Sequence, residues 1–171
     1  AQIANAGIPV LLLDVVPEGA DDRNALARGA LERMQKADPA PFMSRQAARL
    51  VTPGNLEDDL ERLGEVDWIV EAVVEKLEIK SALYARLEGV RKRGSIVSSN
   101  TSTLPLERLT EGLPKSFARD FLITHFFNPP RYMRLLEIVR GPHTRSDAAE
   151  ALADFADRRL GDRGLDVRQA A

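Results

Sequence analysis

Continuous apolar runs recur along the chain and predict its strands. The first run covers residues 8–13 and ends in an acid, Asp14. Later runs occupy residues 48–52, 67–74, 95–100, 121–127, 133–139 and 165–167. Runs of this length without polar alternation are typical of strands buried on both faces of a sheet.

Stretches with helical periodicity separate these runs. Apolar residues recur every three or four positions in residues 21–36, 77–92 and 146–160. An acidic stretch at 56–63 follows Asn55, a favoured helix N-cap, and Pro53-Gly54 is expected to end the strand before it. The alternation predicts βαβ units, and hence an α/β fold with a doubly wound, mostly parallel sheet.

The first seven residues have the pattern of a helix tail closed by Gly7. The strand after it ends in Asp14. In folds that bind dinucleotides, an acid at such a strand end hydrogen-bonds a ribose, and its charge favours NAD over NADP. The alternative is a solvated acid at the end of a strand.

His125 and Glu137 are the strongest candidates for chemistry. Arg131 lies midway between them, within a turn of residues 128–132. If the segment closes as a hairpin, the two side chains face each other. A carboxylate on one imidazole nitrogen leaves the other nitrogen free to act as a base. The alternative is a structural ion pair. His143 lies in a turn and is expected to be exposed.

A polar run, residues 98–103, directly follows a predicted strand. Ligands bind at this end of the strands in open α/β sheets. The alternative is a turn that caps a helix near Pro105. A Ser-His-Glu hydrolase is a further possibility, but no Gly-x-Ser-x-Gly elbow surrounds these serines. Glu71, Glu75 and Lys80 are expected to form surface salt bridges.

Composition narrows the classes of function. The net charge is −2, and Lys and Arg are spread along the chain, which gives no electrostatic case for nucleic acid. No apolar run approaches the ~20 residues of a membrane-spanning helix. There is no cysteine, no cluster with metal-ligand spacing and no Gly-rich phosphate loop. The sequence therefore predicts no nucleic-acid partner, no membrane span and no metal.

Three longer motifs occur in order: Asp67-Trp68-Ile69-Val70-Glu71-Ala72-Val73-Val74-Glu75, Ser98-Ser99-Asn100-Thr101-Ser102-Thr103 and His125-Phe126-Phe127-Asn128-Pro129-Pro130. With them, residues 1–161 resemble the NAD-binding domain of the 3-hydroxyacyl-CoA dehydrogenases of fatty-acid β-oxidation. The sequence of residues 128–133 and the insert at residues 39–43 are most similar to a bacterial branch of this family. The resemblance implies a Rossmann-like fold, NAD as cofactor, and oxidation of 3-hydroxyacyl-CoA to 3-ketoacyl-CoA in the cytoplasm.

The resemblance also implies roles for individual residues. His125 would be the general base, Glu137 its orienting partner and Asn128 a polar neighbour of the pair. Cofactor contacts would come from Asp14, Glu75, Lys80, Asn100 and Ser102. Substrate contacts would come from Ser102, beside the 3-oxygen, and from Lys36, near the CoA phosphates.

Both ends of the sequence depart from the family pattern. Family members begin this domain with a strand and a Gly-x-Gly-x-x-Gly turn that binds the pyrophosphate, whereas this sequence starts inside the helix that follows. That strand is central in the order 3-2-1-4-5-6, so we expect two halves without their shared neighbour. We expect residues 1–171 to form a single partial NAD-binding domain, without the helical domain through which the family forms homodimers. Alone, it should bind NAD weakly and turn over little.

Two other functions remain open. A non-enzymatic relative, like the lens crystallin that resembles these dehydrogenases, could keep the fold for binding. Such a role would not require Ser102, His125 and Glu137 together. A dehydrogenase of small β-hydroxyacids is the other alternative. That family uses a lysine base, which the His125–Glu137 pair fits poorly.

Overall fold

The computed structural model describes residues 1–161 and the backbone of residues 163–168. The chain forms two compact units, Ala1–Glu61 and Arg62–Ala171. None of the described helices is both long and apolar enough to cross a membrane.

The first unit contains two strands and three helices: α1 (Gln2–Asn5), β1 (Val10–Asp14), α2 (Ala25–Lys36), α3 (Arg45–Arg49) and β2 (Val51–Asn55). The strands pair in parallel, with Val10 opposite Val51 and Asp14 opposite Asn55. The expected closure of the first helix is confirmed, since Gly7 follows α1 with a φ of +80°. A small core packs around Ala4, Phe42, Ala47, Ala48 and Val51.

The second unit contains a five-stranded sheet. After a 3₁₀ helix at Leu60–Glu65, its elements are β3 (Trp68–Glu71), α4 (Leu77–Val90), β4 (Ile96–Ser99), α5 (Leu106–Thr110), α6 (Lys115–Asp120), β5 (Phe121–Phe126), β6 (Leu135–Arg140), α7 (Ser146–Phe155) and β7 (Arg163–Arg168). The strand order is β3-β4-β5-β6-β7. Only the β5–β6 pair is antiparallel, so the mostly parallel α/β sheet is confirmed. Its core includes Leu122, Leu136, Ile138 and Leu152.

The described strands divide between two sheets. β1 and β2 form one sheet, and β3 begins the other. The division falls between the second and third strands of the described chain.

The predicted strand at residues 48–52 is displaced. Ser44 caps α3, with its Oγ accepting from the Ala47 amide, so Ala48 and Arg49 are helical. The strand instead continues through Pro53 and Gly54, which were expected to end it. Pro53 is tolerated because β2 pairs only with β1 in the described chain. A Cβ on Gly54 would lie 2.5 Å from Asp59 Oδ2 and 2.9 Å from Leu13 Cδ2, so any larger residue here would force these side chains to move.

Other boundaries differ by a few residues. Residues 56–59 form a turn before the 3₁₀ helix rather than an α-helix, although Asn55 does cap it by accepting from the amides of Glu57 and Asp58. The predicted helix at 146–160 changes into a π-helical turn at Ala156–Leu160. The short helix α6 was not predicted. Residues 162 and 169–171 of the C-terminal departure lie outside the described residues.

Candidate active site

His125 and Glu137 meet across the antiparallel strands β5 and β6. They are register partners, so the predicted hairpin pairing is confirmed. His125 Nδ1 lies 3.1 Å from Glu137 Oε2, and the two side chains are 27% and 38% exposed. The contact engages Nδ1, which leaves Nε2 as the imidazole nitrogen that can accept a proton.

Ser102 and the His125–Glu137 pair line the same cavity, which has a volume of about 230 Å³. Ser102 is exposed in the loop after β4. The cavity lies between the loop that follows β4, at the strand end where ligands bind in open α/β sheets, and side chains of β5 and β6. A hydroxyl, an imidazole and a carboxylate therefore converge on one small space.

Asn100 directly follows β4 and makes two hydrogen bonds there. Its amide donates to the Glu71 carbonyl at 2.8 Å, and its Oδ1 accepts from the Phe126 amide at 3.1 Å. Phe126 directly follows His125, so Asn100 connects the polar loop to the strand that carries the imidazole. Asn128 lies exposed in the β5–β6 turn. Within the described residues it makes no hydrogen bond to His125 or Glu137.

Lys80 and Glu71 are not surface residues, so the expected surface salt bridge is wrong. Their side chains are each 1% exposed, and Lys80 Nζ lies 2.8 Å from Glu71 Oε1. Glu71 ends β3, and its carboxylate contacts the ammonium group of Lys80 on α4. Both charged groups are therefore enclosed by protein rather than solvated. Glu75 is different: its side chain is 40% exposed, and it lies 3.2 Å from Lys80 Nζ.

Glu75 also binds the polar loop. Its Oε1 accepts hydrogen bonds from the hydroxyls of Thr101 and Thr103. Burial acts to raise the pKa of Glu75, but the hydrogen bonds from Thr101, Lys80 and Thr103 outweigh it, and the pKa lies below its ordinary value. The carboxylate is therefore held charged by the loop that lines the cavity.

Tyr84 is a buried polar residue that the sequence reasoning missed. Its hydroxyl donates to Glu71 Oε2 at 2.5 Å, and its ring packs against Phe117 and Phe121. Burial, with the neighbouring Glu71 charge, raises the pKa of Tyr84 far above its ordinary value. The four-residue spacing from Lys80 was the available signal, because it places both side chains on one face of α4.

Asp14 and Lys36 belong to the first unit. Asp14 ends β1 and is partly buried, and its Oδ1 accepts from the Val15 amide at 2.8 Å. This is the predicted position of a ribose-binding acid. Lys36 ends α2 with a side chain that is 80% exposed, 4.0 Å from Glu32.

Among the described residues, no group of three or more His, Asp or Glu side chains could hold a metal ion.

The comparisons with known proteins agree on one family. The family model for the 3-hydroxyacyl-CoA dehydrogenase NAD-binding domain matches residues 1–169. A probable 3-hydroxyacyl-CoA dehydrogenase from Deinococcus radiodurans is 48% identical over 161 residues, covering 94% of this chain and 46% of that protein. One from Bacillus subtilis is 44% identical over 175 residues, covering 94% of this chain and 22% of that protein. The chain thus spans less than half the length of either relative.

Solved structures share the fold. FadB2 from M. tuberculosis matches with a TM-score of 0.81 and 26% identity, over 99% of this chain and 59% of that one. A 3-hydroxybutyryl-CoA dehydrogenase from Escherichia coli K12 matches with a TM-score of 0.78 and 24% identity, over 98% of this chain and 34% of that one. The Rossmann-like α/β fold is therefore confirmed.

Proposed function

The chain belongs to the family of 3-hydroxyacyl-CoA dehydrogenase NAD-binding domains, and from this premise we propose that the complete protein oxidises 3-hydroxyacyl-CoA to 3-ketoacyl-CoA with NAD. The observation that supports this proposal most directly is that Ser102, His125 and Glu137 line one cavity, between the loop after β4 and the strands β5 and β6. Each of these side chains supplies one element of the reaction.

His125 acts as the general base in this proposal. Its Nε2 takes the proton from the substrate 3-hydroxyl, while Nδ1 stays on Glu137 at 3.1 Å. The Glu137 carboxylate fixes the ring and offsets the charge that the imidazole gains. Ser102 presents its hydroxyl to the 3-oxygen. NAD, when bound, supplies the nicotinamide that accepts the hydride.

Each unit, taken by itself, carries side chains suited to NAD. In the first unit, the Asp14 carboxylate lies at the carboxyl end of β1, where it would hold the adenosine ribose. In the second, Glu75, Asn100 and Ser102 surround the carboxyl end of β4, where they would hold the nicotinamide half. Lys80 is 1% exposed, so we propose that it acts on the cofactor through Glu75.

The substrate and partner assignments complete the proposal. Lys36, exposed at the end of α2, would bind the CoA phosphates, and Asn128 would lie beside the substrate in the β5–β6 turn. The relatives are more than twice as long as the matched segment. By resemblance to the family, we propose that the complete protein adds a helical domain through which it forms a homodimer, and that it acts in the cytoplasm.

The test is an NADH oxidation assay with a 3-ketoacyl-CoA on the complete product of the gene. Substituting His125→Gln should lower kcat/KM by about 100-fold or more, the range for loss of a general base. His143→Gln is the matched control, since this exposed histidine lies in a turn outside the cavity. Equal turnover in the His125 variant would remove the base assignment. No turnover in the natural protein would favour the crystallin-like alternative.

A further inference from the structure

A buried ionic cluster lies beneath the candidate active site. Glu71, Lys80 and Tyr84 are 4%, 1% and 0% exposed. Taking a carboxylate and an ammonium out of water costs several kcal/mol per ion, which their mutual attraction offsets only when the geometry and hydrogen bonding are good. An apolar pair would fill the same space at similar or better stability. Stability alone does not account for the cluster.

Each carboxylate oxygen of Glu71 accepts two hydrogen bonds. Oε1 accepts from Lys80 Nζ at 2.8 Å and from the Val73 amide at 2.6 Å. Oε2 accepts from the Tyr84 hydroxyl at 2.5 Å and from Ser99 Oγ at 2.7 Å. One carboxylate thereby joins the end of β3, the helix α4 and the end of β4, so its position is fixed by three elements.

Lys80 connects Glu71 to a second carboxylate, that of Glu75. It lies between the two carboxylates, 2.8 Å from Glu71 Oε1 and 3.2 Å from Glu75 Oε2. Glu75 in turn accepts from Thr101 and Thr103, which flank Ser102. A continuous series of ion pairs and hydrogen bonds therefore runs from the core to the loop at the cavity.

We propose that Glu71 is a positioning residue for the dehydrogenase reaction, acting through Lys80 and Glu75 to hold the loop that carries Ser102 against the His125–Glu137 pair. This inference rests on the proposed function. Misplacing reacting groups by about 1 Å can cost roughly 100-fold in rate. Without the Glu71 charge, Lys80 and Glu75 are no longer held in place from the core, so the loop that Glu75 binds can shift.

The test is a double-mutant cycle in kcat/KM, made in the complete protein with Glu71→Gln and Glu75→Gln. We expect each single variant to lose about 10- to 100-fold. If both act through one series of contacts, the double variant should lose little more than the worse single variant. Losses that multiply would overturn the inference, because they would show that Glu71 and Glu75 act independently.

Glu88→Gln is the matched control, because Glu88 also lies on α4 but pairs with Arg91. It should leave turnover unchanged. If Glu71→Gln fails to fold, Glu71→Asp, which keeps the charge but shortens the side chain, replaces it in the cycle. Failure of both to fold would make Glu71 structural and overturn the inference. A natural protein without turnover would refute the proposed function and this inference together, whereas multiplying losses in an active protein refute the inference alone.

Discussion

His125 and Glu137 are directly opposed on the antiparallel strands β5 and β6, with 3.1 Å between Nδ1 and Oε2. Opposed residues of an antiparallel pair lie on the same face of the sheet. A register slip of one residue would move one of them to the other face. β6 also pairs with β7 on its other side, so the ladder on both sides fixes the position of Glu137.

Glu137→Gln tests whether this carboxylate matters for turnover. The amide keeps the shape but loses the charge that offsets the imidazolium during proton transfer. We expect kcat to fall by about 100-fold, the lower end of the contribution of general acid–base catalysis, while the Kd for NADH stays within about twofold. Steady-state kinetics and NADH fluorescence titration measure the two quantities.

Glu150→Gln, at an exposed position of α7, is the control and should change neither quantity. Unchanged kcat in Glu137→Gln would reduce the pair to a structural contact.

The pairing of His125 with Glu137 was predictable because a hairpin is local: its midpoint and its turn residues fix the register. The strand-helix alternation was predictable for a similar reason, since strands buried on both faces have continuous apolar runs. Both predictions depend on residues that are close in sequence.

The buried cluster was not predictable from such patterns. Glu71 and Lys80 are nine residues apart in a strand and a helix, and their burial depends on how α4 packs on the sheet. A charged residue at a strand end is usually solvated. The strand β2 was misplaced for a comparable reason, because the need for Gly54 arises from the approach of Asp59 and Leu13, which local propensity does not contain.

Asp14 should determine the choice of cofactor. Its carboxylate at the end of β1 would accept from a ribose hydroxyl and repel a 2′-phosphate. In Asp14→Ser, we expect the ratio of kcat/KM for NADH to that for NADPH to fall at least about tenfold, equivalent to roughly 1.4 kcal/mol of discrimination. The measurement is a kinetic comparison of the two cofactors in the complete protein. Glu18→Gln, an exposed acid after the same strand, should leave the ratio unchanged.

Asp120 should be important for stability without affecting chemistry. It accepts from Arg91 at 2.8 Å and from Arg145 at 2.7 Å, and its side chain is 11% exposed. Asp120→Asn removes a carboxylate that both arginines share, although Arg91 keeps Glu88 and Arg145 keeps Asp147, so we expect a loss of about 1–3 kcal/mol. Urea unfolding measures the free energy. Asp67→Asn is the control, because its pair with Lys92 is 86% and 51% exposed and should contribute less than about 1 kcal/mol.

Tyr84 should make the protein sensitive to alkali. Burial raises its pKa in the folded state above the ordinary value of 10.0. Above pH 10 the unfolded chain therefore loses the phenolic proton while the folded chain retains it. The unfolded state then binds fewer protons, so stability falls as pH rises. The contribution is fully present below pH 10, and one proton sets the limiting slope at about 1.4 kcal/mol per pH unit.

Tyr84→Phe removes this titration but keeps the ring against Phe117 and Phe121. The variant loses a hydrogen bond to Glu71, so its free energy of unfolding should be lower at neutral pH by about 1–3 kcal/mol. Urea unfolding of both proteins from pH 8 to 11 gives the difference curve, in which alkaline effects common to both cancel. The difference should be constant below about pH 10 and shrink above it. A difference that stays constant to pH 11 would contradict the assignment of a buried, un-ionised phenol on Glu71.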